Sequence, residues 1–318
     1  MRPMTASASS AASSSVASGN ATGTALPTAM PLRHILLALF SVLVLGVNVV
    51  AIKVAVTHVP PLFITAVRFS LVGLVLVWFF PVPRGQWRNI FIFSVAQGLL
   101  HHGIMFIGMT EVDAAVGAIV MQLCTPFAAL MAWGLLGEHF GWRRTVGIAV
   151  SLLGVGVLAG EPEVKSATLY IGILLLSAAA WGYANIHVKR MGTINILQIT
   201  AWMSLFAAPE LFLASALWEQ DQWAALMSAP YTMWASLLYM SLGATVIAYG
   251  IWYDLLARYD VIQIVPFALL NPVMAVTAGV LLLGESLAWQ KVAGGIIVLI
   301  GVAIIQIRWR RRAVTPVE

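Results

Sequence analysis

Apolar side chains fall along this chain in blocks of about twenty rather than in the 3.6-residue stripe of a surface helix or the alternation of a half-buried strand, and the charges sit between the blocks. A helix rises about 1.5 Å per residue, so about 20 residues cross about 30 Å of hydrocarbon. Ten such spans are predicted, at 34–57, 61–80, 89–110, 114–136, 145–160, 167–188, 195–217, 230–253, 261–283 and 291–308. The joining segments are short and leave no room for a domain outside the membrane. Residues 1–30 are rich in Ser, Ala, Thr and Gly and cannot bury enough surface to offset ordering entropy, which predicts a disordered tail. They lack the apolar core of a secretory signal. Residues 309–318 form a short basic tail.

Composition narrows the class. With 61% hydrophobic and 9% charged residues and a mean hydropathy of +0.93, the chain cannot hide its apolar side chains in one water-soluble core. A soluble enzyme or a disulfide scaffold is excluded, and the single Cys124 permits no internal disulfide. The pI of about 9.6 and net charge of +5 would suggest nucleic acid, but the cations lie between apolar runs and form no surface stripe. The lipid bilayer is the partner this pattern fits. With the N-terminus cytoplasmic, one side collects Arg2, Arg33, Arg84, Arg88, Arg143, Arg144, Lys189, Arg190, Arg258, Arg308, Arg310, Arg311 and Arg312, thirteen of the 17 Lys and Arg. The other side collects only Lys165 and Lys291, and Lys53 and Arg68 fall inside spans. This bias predicts that both termini are cytoplasmic.

The chain also repeats itself. "LLGEHFGWRRTVGIAVSLLGVGVLAG" at 135–160 matches "LLGESLAWQKVAGGIIVLIGVAIIQI" at 282–307, so that Asp113, Gly137, Glu138, Trp142, Gly147, Leu152 and Gly154 meet Asp260, Gly284, Glu285, Trp289, Gly294, Leu299 and Gly301 at an offset of 147. Apolar runs align by chance, but aligned Asp, Glu and Trp do not. Two repeats are expected, 34–160 and 167–308. Five spans each is an odd number, so the second copy enters the membrane from the opposite side, with Glu138 cytoplasmic and Glu285 facing outward. Inverted repeats place a binding cavity near the midplane between halves that rock, as in a transporter.

These motifs, with "VNVVAIKVAV" at 47–56, "PPLFITAVRF" at 60–69 and "GATVIAYGIWYDLLARYD" at 243–260, resemble the ten-helix EamA family of the drug/metabolite transporter superfamily over residues 36–306. The look is nearest to bacterial exporters of cysteine and O-acetylserine and to aromatic amino-acid exporters of the YddG type. The resemblance implies an all-α fold of two inverted five-helix repeats, a cavity between helices 1, 3, 4, 6, 8 and 9, and export of amino acids across the bacterial inner membrane. The small four-helix multidrug members carry a glutamate in their first helix, and the first span here has none.

A zwitterion needs donors for its carboxylate, a partner for its ammonium group and an adaptable pocket for its side chain, so polar residues inside spans are the candidates. Asn48 lies in span 1. Gln97 and His101 share a face of span 3 at i and i+4, with His102 diverging by about 100° and so expected to pack elsewhere. Span 6 carries two interleaved pairs, Trp181 with Asn185 and Tyr183 with His187, of which one faces the cavity. Tyr249 in span 8 and Asn271 in span 9 complete the substrate-binding set. For the amides, an interhelical hydrogen bond is the other account; for Tyr249, with Trp252 and Tyr253, it is an interfacial aromatic belt. Pro126 and Pro272 free carbonyls four residues back and mark hinges or tolerated kinks. Lys53 and Arg68 fall in the outer thirds of their spans, where they either snorkel or form a positive rim at the outer mouth that meets a substrate carboxylate. Glycines of spans 5 and 10 are packing surfaces, within the chain or between copies.

The expectation is an exporter of neutral, aromatic and related amino acids by alternating access, with no metal, cofactor or nucleic acid, no enzymatic constellation, and a monomer as its working unit. Uniport is expected because the predicted cavity spans lack deep carboxylates. The alternative is proton-coupled efflux of drugs or other small metabolites.

Overall fold

The computed structural model describes residues 30–81, 83–137, 141–161, 167–192, 195–259 and 261–306. Both predicted tails fall outside these residues, apart from Met30, as do Glu138, Lys165 and Asp260. The elements are helices throughout: α1 Leu32–Val56, α2 Pro61–Leu76, α3 Trp87–Gly108, α4 Ala114–Leu136, α5 Trp142–Ala159, α6 Thr168–Met191, α7 Ile196–Trp218, α8 Tyr231–Arg258, α9 in two pieces, Val261–Ala268 and Asn271–Leu283, and α10 Trp289–Gln306. Among the described residues nine helices are long and apolar enough to cross a membrane, and α2 is a shorter apolar helix of 16 residues. The chain is an all-helical, multi-pass membrane protein.

The spans fall where the apolar blocks predicted, with informative differences at their ends. Span 2 was expected to reach residue 80, but the helix stops at Leu76 and the chain turns, with Phe79 N–H bonded to Leu76 O. Pro81 and Pro83 follow, and proline biases the residue before it away from helix. Large apolar side chains such as Trp78, Leu153, Leu217 and Leu281 stay exposed, a liability in water that lipid removes.

Helix pairings recur between the two halves of the chain. α1 packs on the second piece of α9 as α6 packs on the second piece of α4; α3 contacts α6 and α7 as α8 contacts α1 and α2; and α2 pairs with α7, α5 with α10. The α5–α10 contact is backbone on backbone. A Cβ added at Gly154 would lie 2.6 Å from Val298 N and 2.8 Å from Gly294 O, so the small-residue faces serve packing within the chain.

Irregularities recur too. α3 contains a π-helical stretch, Ser94–Gly103, and α8 contains another, Tyr239–Ala248, 145 residues on and of equal length. π-helix is rare and concentrates at functional sites. α4 breaks at Gln122 and Leu123 and α9 at Leu269 and Leu270, just before Pro126 and Pro272. Gly137 and Gly284 end the second pieces at φ +66 and +69, where other residues are strained.

One end of the bundle, carrying Asp113, is tied by charge. Glu285 accepts Ala114 N–H at 2.6 Å and Ala115 N–H at 3.0 Å, capping α4, and Glu219 accepts Leu62 N–H at 2.7 Å and Phe63 N–H at 2.9 Å, capping α2. Lys291, 1% exposed, lies 2.5 Å from Asp113 Oδ2 and 3.4 Å from Glu161 Oε1. Burial raises the Glu285 carboxyl pKa, the two backbone N–H groups opposing the rise. Val59, Phe63, Phe106, Val112 and Leu226 form the buried apolar packing of this end.

Candidate functional site

A central cavity of about 330 Å³ lies beneath that packing. It runs from Met109 and Gly117 near the Asp113 end to Val188, Ile196, Thr200 and Tyr253 near the opposite, Arg190 end. α1, α3, α4, α6, α8 and α9 line it, and so do α2, through Arg68 and Phe69, and α7, through Ile199 and Met203. Helices 2 and 7 were absent from the expected wall; they pair with each other and so reach it together.

The cavity gathers Asn48, Gln97, His101, Trp181, Asn185, Tyr249 and Asn271, all of the residues proposed from sequence for substrate contact. His101 stacks on Trp181 with ring centroids 4.8 Å apart and planes 22° apart. Ser177 Oγ donates to His101 O at 2.8 Å, so its own lone pair accepts His101 Nδ1–H at 2.9 Å. This fixes the tautomer with Nε2 as acceptor. His102 also lines the cavity, contrary to expectation, because the π-helical turn spreads five residues over the arc that four would take. In that turn His102 Nδ1–H meets Gln97 O, five residues back, at 2.7 Å, and the His102 ring packs edge-on against Phe69. On α6 the face of Trp181 and Asn185 is the one turned inward. Tyr183 lies instead in an apolar groove with Phe91, Leu100 and Leu176, and His187 Nε2 bonds Asn89 O at 2.9 Å. Tyr253 joins Tyr249 on the wall at a centroid distance of 5.9 Å, while Trp252 packs with Ala38, Leu255 and Ile264.

Of the two cations expected at an outer mouth, one keeps its end of the bundle and the other does not. Lys53 stays at the Asp113 end, where its ammonium donates to Met109 O at 3.0 Å and Thr110 O at 2.9 Å and so caps the C-terminus of α3. Arg68 is 2% exposed and lines the cavity. With α2 ending at Leu76, it is the eighth of sixteen residues, the midpoint of its helix rather than its outer third. Its Nη2 donates to Thr245 Oγ1 at 3.1 Å, and its guanidinium lies 5.7 and 5.8 Å from the ring centres of Phe69 and Phe106. Arg68 Nε and Nη1, Asn48 Oδ1 and Gln97 Oε1 are buried with no hydrogen-bond partner among the described residues. Pro272 lines the cavity and Pro126 is buried outside it. Sequence spacing alone did not locate Arg68, His102, Gln122, Thr245 or Tyr253 on this wall; the Arg68 and Tyr253 signals were visible as polar groups inside spans but were given other depths.

No carboxylate of the described residues lines the cavity. Glu210 of α7 lies off it, 2.6 Å from Ser94 Oγ. Among the described residues no three of His, Cys, Asp and Glu gather closely enough to hold a metal ion.

A cavity buried among paired spans, walled by neutral polar and aromatic groups and by Arg68, suits a small-molecule transporter, and the family comparison agrees. The EamA-like transporter family model matches the chain twice, at residues 32–160 and 168–307. The chain belongs to this family. A "Probable amino-acid metabolite efflux pump" of Escherichia coli K12 is 27% identical over 286 residues, covering 86% of this chain and 96% of that protein. One of the same description from Salmonella typhimurium is 28% identical over 277 residues, covering 84% and 93%. A solved crystal structure superposes with a TM-score of 0.58 at 19% identity, covering 86% of this chain and 96% of that one, a likeness of fold. The EamA chain is thus a multi-pass transporter, and two of its relatives carry the description of probable amino-acid metabolite efflux pumps.

Proposed function

We propose that this EamA protein exports amino acids of broad range, neutral, aromatic and related, from the cytoplasm across a bacterial inner membrane by alternating access, with both termini cytoplasmic and a single copy as the working unit. The observation that carries the reading is the cavity itself. Its volume lies at the lower end of the usual range for small-molecule sites, about 300–1,000 Å³. Its wall combines aromatic faces, Trp181 and Tyr249, with the unpartnered amide oxygens of Asn48 and Gln97. Asn185 and Asn271 add polar groups on the same wall, and the His101–Trp181 stack forms a rigid plate against which an apolar side chain rests.

The positive-inside bias supports the Arg190 end as the cytoplasmic one, with the charge clamps of the Asp113 end on the opposite side. Rocking takes place at the helix breaks before Pro126 and Pro272, which occur at matching points of the two halves. The absence of a carboxylate from the described cavity wall supports uniport over proton antiport. The names of the two efflux pumps support amino-acid metabolites as cargo.

Purified protein in proteoliposomes tests this by uptake of labelled amino acids with and without an imposed pH gradient. Saturable uptake of several neutral and aromatic amino acids without the gradient is expected. Uptake that requires the gradient would overturn uniport, and no uptake of any amino acid by folded protein would overturn the cargo. Trp181→Ala and His101→Ala are expected to reorder substrate preference; an unchanged order would remove both from the site.

A further inference from the structure

We propose that Arg68 is a carboxylate-binding residue at the centre of the cavity, and that a free carboxylate, not an ammonium group, is the feature every transported molecule must carry. This deepens the exporter reading above and rests on it. Arg68 is 2% exposed, lies at the midpoint of α2, and makes no ion pair among the described residues. Thr245 spends its hydroxyl proton on Met240 O at 2.8 Å and therefore accepts from Nη2, which holds the guanidinium in place while Nε and Nη1 remain without partners. A guanidinium buried in this way is costly unless a counter-charge arrives.

The rest of the wall sharpens the assignment. Arg68 is the one Arg, Lys, Asp or Glu among the described lining residues, so a bound monoanion neutralises the cavity and a bound cation adds a second positive charge. An ammonium group would find only neutral acceptors, the unpartnered oxygens of Asn48 and Gln97, together with aromatic faces. A hydrogen bond between two charged groups is roughly twice as strong as a neutral pair. The carboxylate is therefore obligatory and the ammonium optional. The substrate class becomes small amphipathic monocarboxylates: amino acids and the 2-oxo acids of the same side chains, but neither amino-acid amides nor amines.

The test uses full-length protein in lipid nanodiscs and three probes sharing one side chain: phenylalanine, phenylpyruvate and phenylalaninamide. Binding is read by ligand-induced shift of the melting temperature and transport by flux in proteoliposomes. Phenylalanine and phenylpyruvate are expected to bind, with the amide at least about tenfold weaker, the loss of one charge-assisted contact. Arg68→Gln should erase the preference for acid over amide while Arg68→Lys keeps part of it; if Arg68→Gln does not fold, the reduced preference of Arg68→Lys carries the result. Equal binding of acid and amide by the natural protein, or an undiminished preference in the variants, overturns the proposal while leaving amino-acid export standing. Binding of phenylpyruvate with no binding or transport of any amino acid overturns the export reading while leaving Arg68 as the anchor. Failure of all three probes to bind folded protein overturns both.

Discussion

Two buried cations, Lys291 at the Asp113 end and Arg68 in the cavity, are 1% and 2% exposed, yet their surroundings are opposite. Lys291 sits between two carboxylates, Asp113 at 2.5 Å and Glu161 at 3.4 Å, and also donates to Ser286 O. Arg68 has one hydroxyl, two aromatic faces and two nitrogens with nothing to bond. Burial of charge is tolerated for stability where an opposite charge is built in, and is a cost where none is. The Asp113 end is therefore organised to hold the halves together, whereas the cavity stores unmet hydrogen-bonding capacity for a molecule that comes and goes. The same contrast separates the carboxylates of Glu285 and Glu219, each filled by two backbone N–H groups, from the empty amide oxygens of Asn48 and Gln97.

Substitutions should break this contrast in a definite order. The largest effect is expected from Lys291→Met, which leaves Glu161, 2% exposed, without its cation and should cost about 3–5 kcal/mol of stability. Thermal unfolding in detergent measures it, and a melting temperature equal to the natural protein's would show that the cluster holds nothing. Next, Glu285→Ala strips the acceptor from Ala114 and Ala115 N–H and should cost about 0.5–2 kcal/mol, the range of a lost helix cap. Glu219→Ala should match it at α2 within the same range. Smaller still, and of opposite sign, Arg68→Gln removes a buried charge that no group of the described residues neutralises, so stability should stay level or rise slightly. A loss of stability as large as that of Lys291→Met would put Arg68 in the structural class.

How much of this was legible beforehand follows from what kind of information each feature needs. The spans and the repeat are one-dimensional: an apolar block long enough to cross hydrocarbon announces itself, and Gly137 and Gly284 stand 147 residues apart in identical left-handed turns. The breaks near Pro126 and Pro272 were legible because proline cannot donate to the helix ladder. The depth of Arg68 follows from the helix that forms: in Pro61–Leu76 it is the eighth of sixteen residues, and only the packed fold shows that its guanidinium turns into the cavity instead of reaching the interface. Side-chain spacing cannot distinguish an i+4 ladder from the i+5 ladder of Ser94–Gly103, which is why His102 lies on the cavity side rather than the one the spacing predicts. The cap that Lys53 places on Met109 and Thr110 was invisible, since it needs two helices brought together by the rest of the fold.

The finest test lies in the pH dependence of the clamp at Glu285, outside the membrane-spanning helices. Its carboxyl pKa is raised in the folded protein because burial outweighs the two backbone N–H bonds. A raised folded-state value means the folded form takes up the proton more readily than the unfolded form. The stability this group contributes is then fully present below the ordinary glutamate value and is lost as pH rises through the folded value. Melting temperatures of the natural protein and Glu285→Gln, compared between mildly acidic and neutral pH, isolate that group because the amide does not titrate. The natural protein should lose ground to the variant as pH rises. The reverse slope would mean that the N–H groups of Ala114 and Ala115 outweigh burial, and would place Glu285 wholly with the satisfied charges. The expected slope instead makes it intermediate, a filled carboxylate that still bears part of the burial cost Arg68 bears in full.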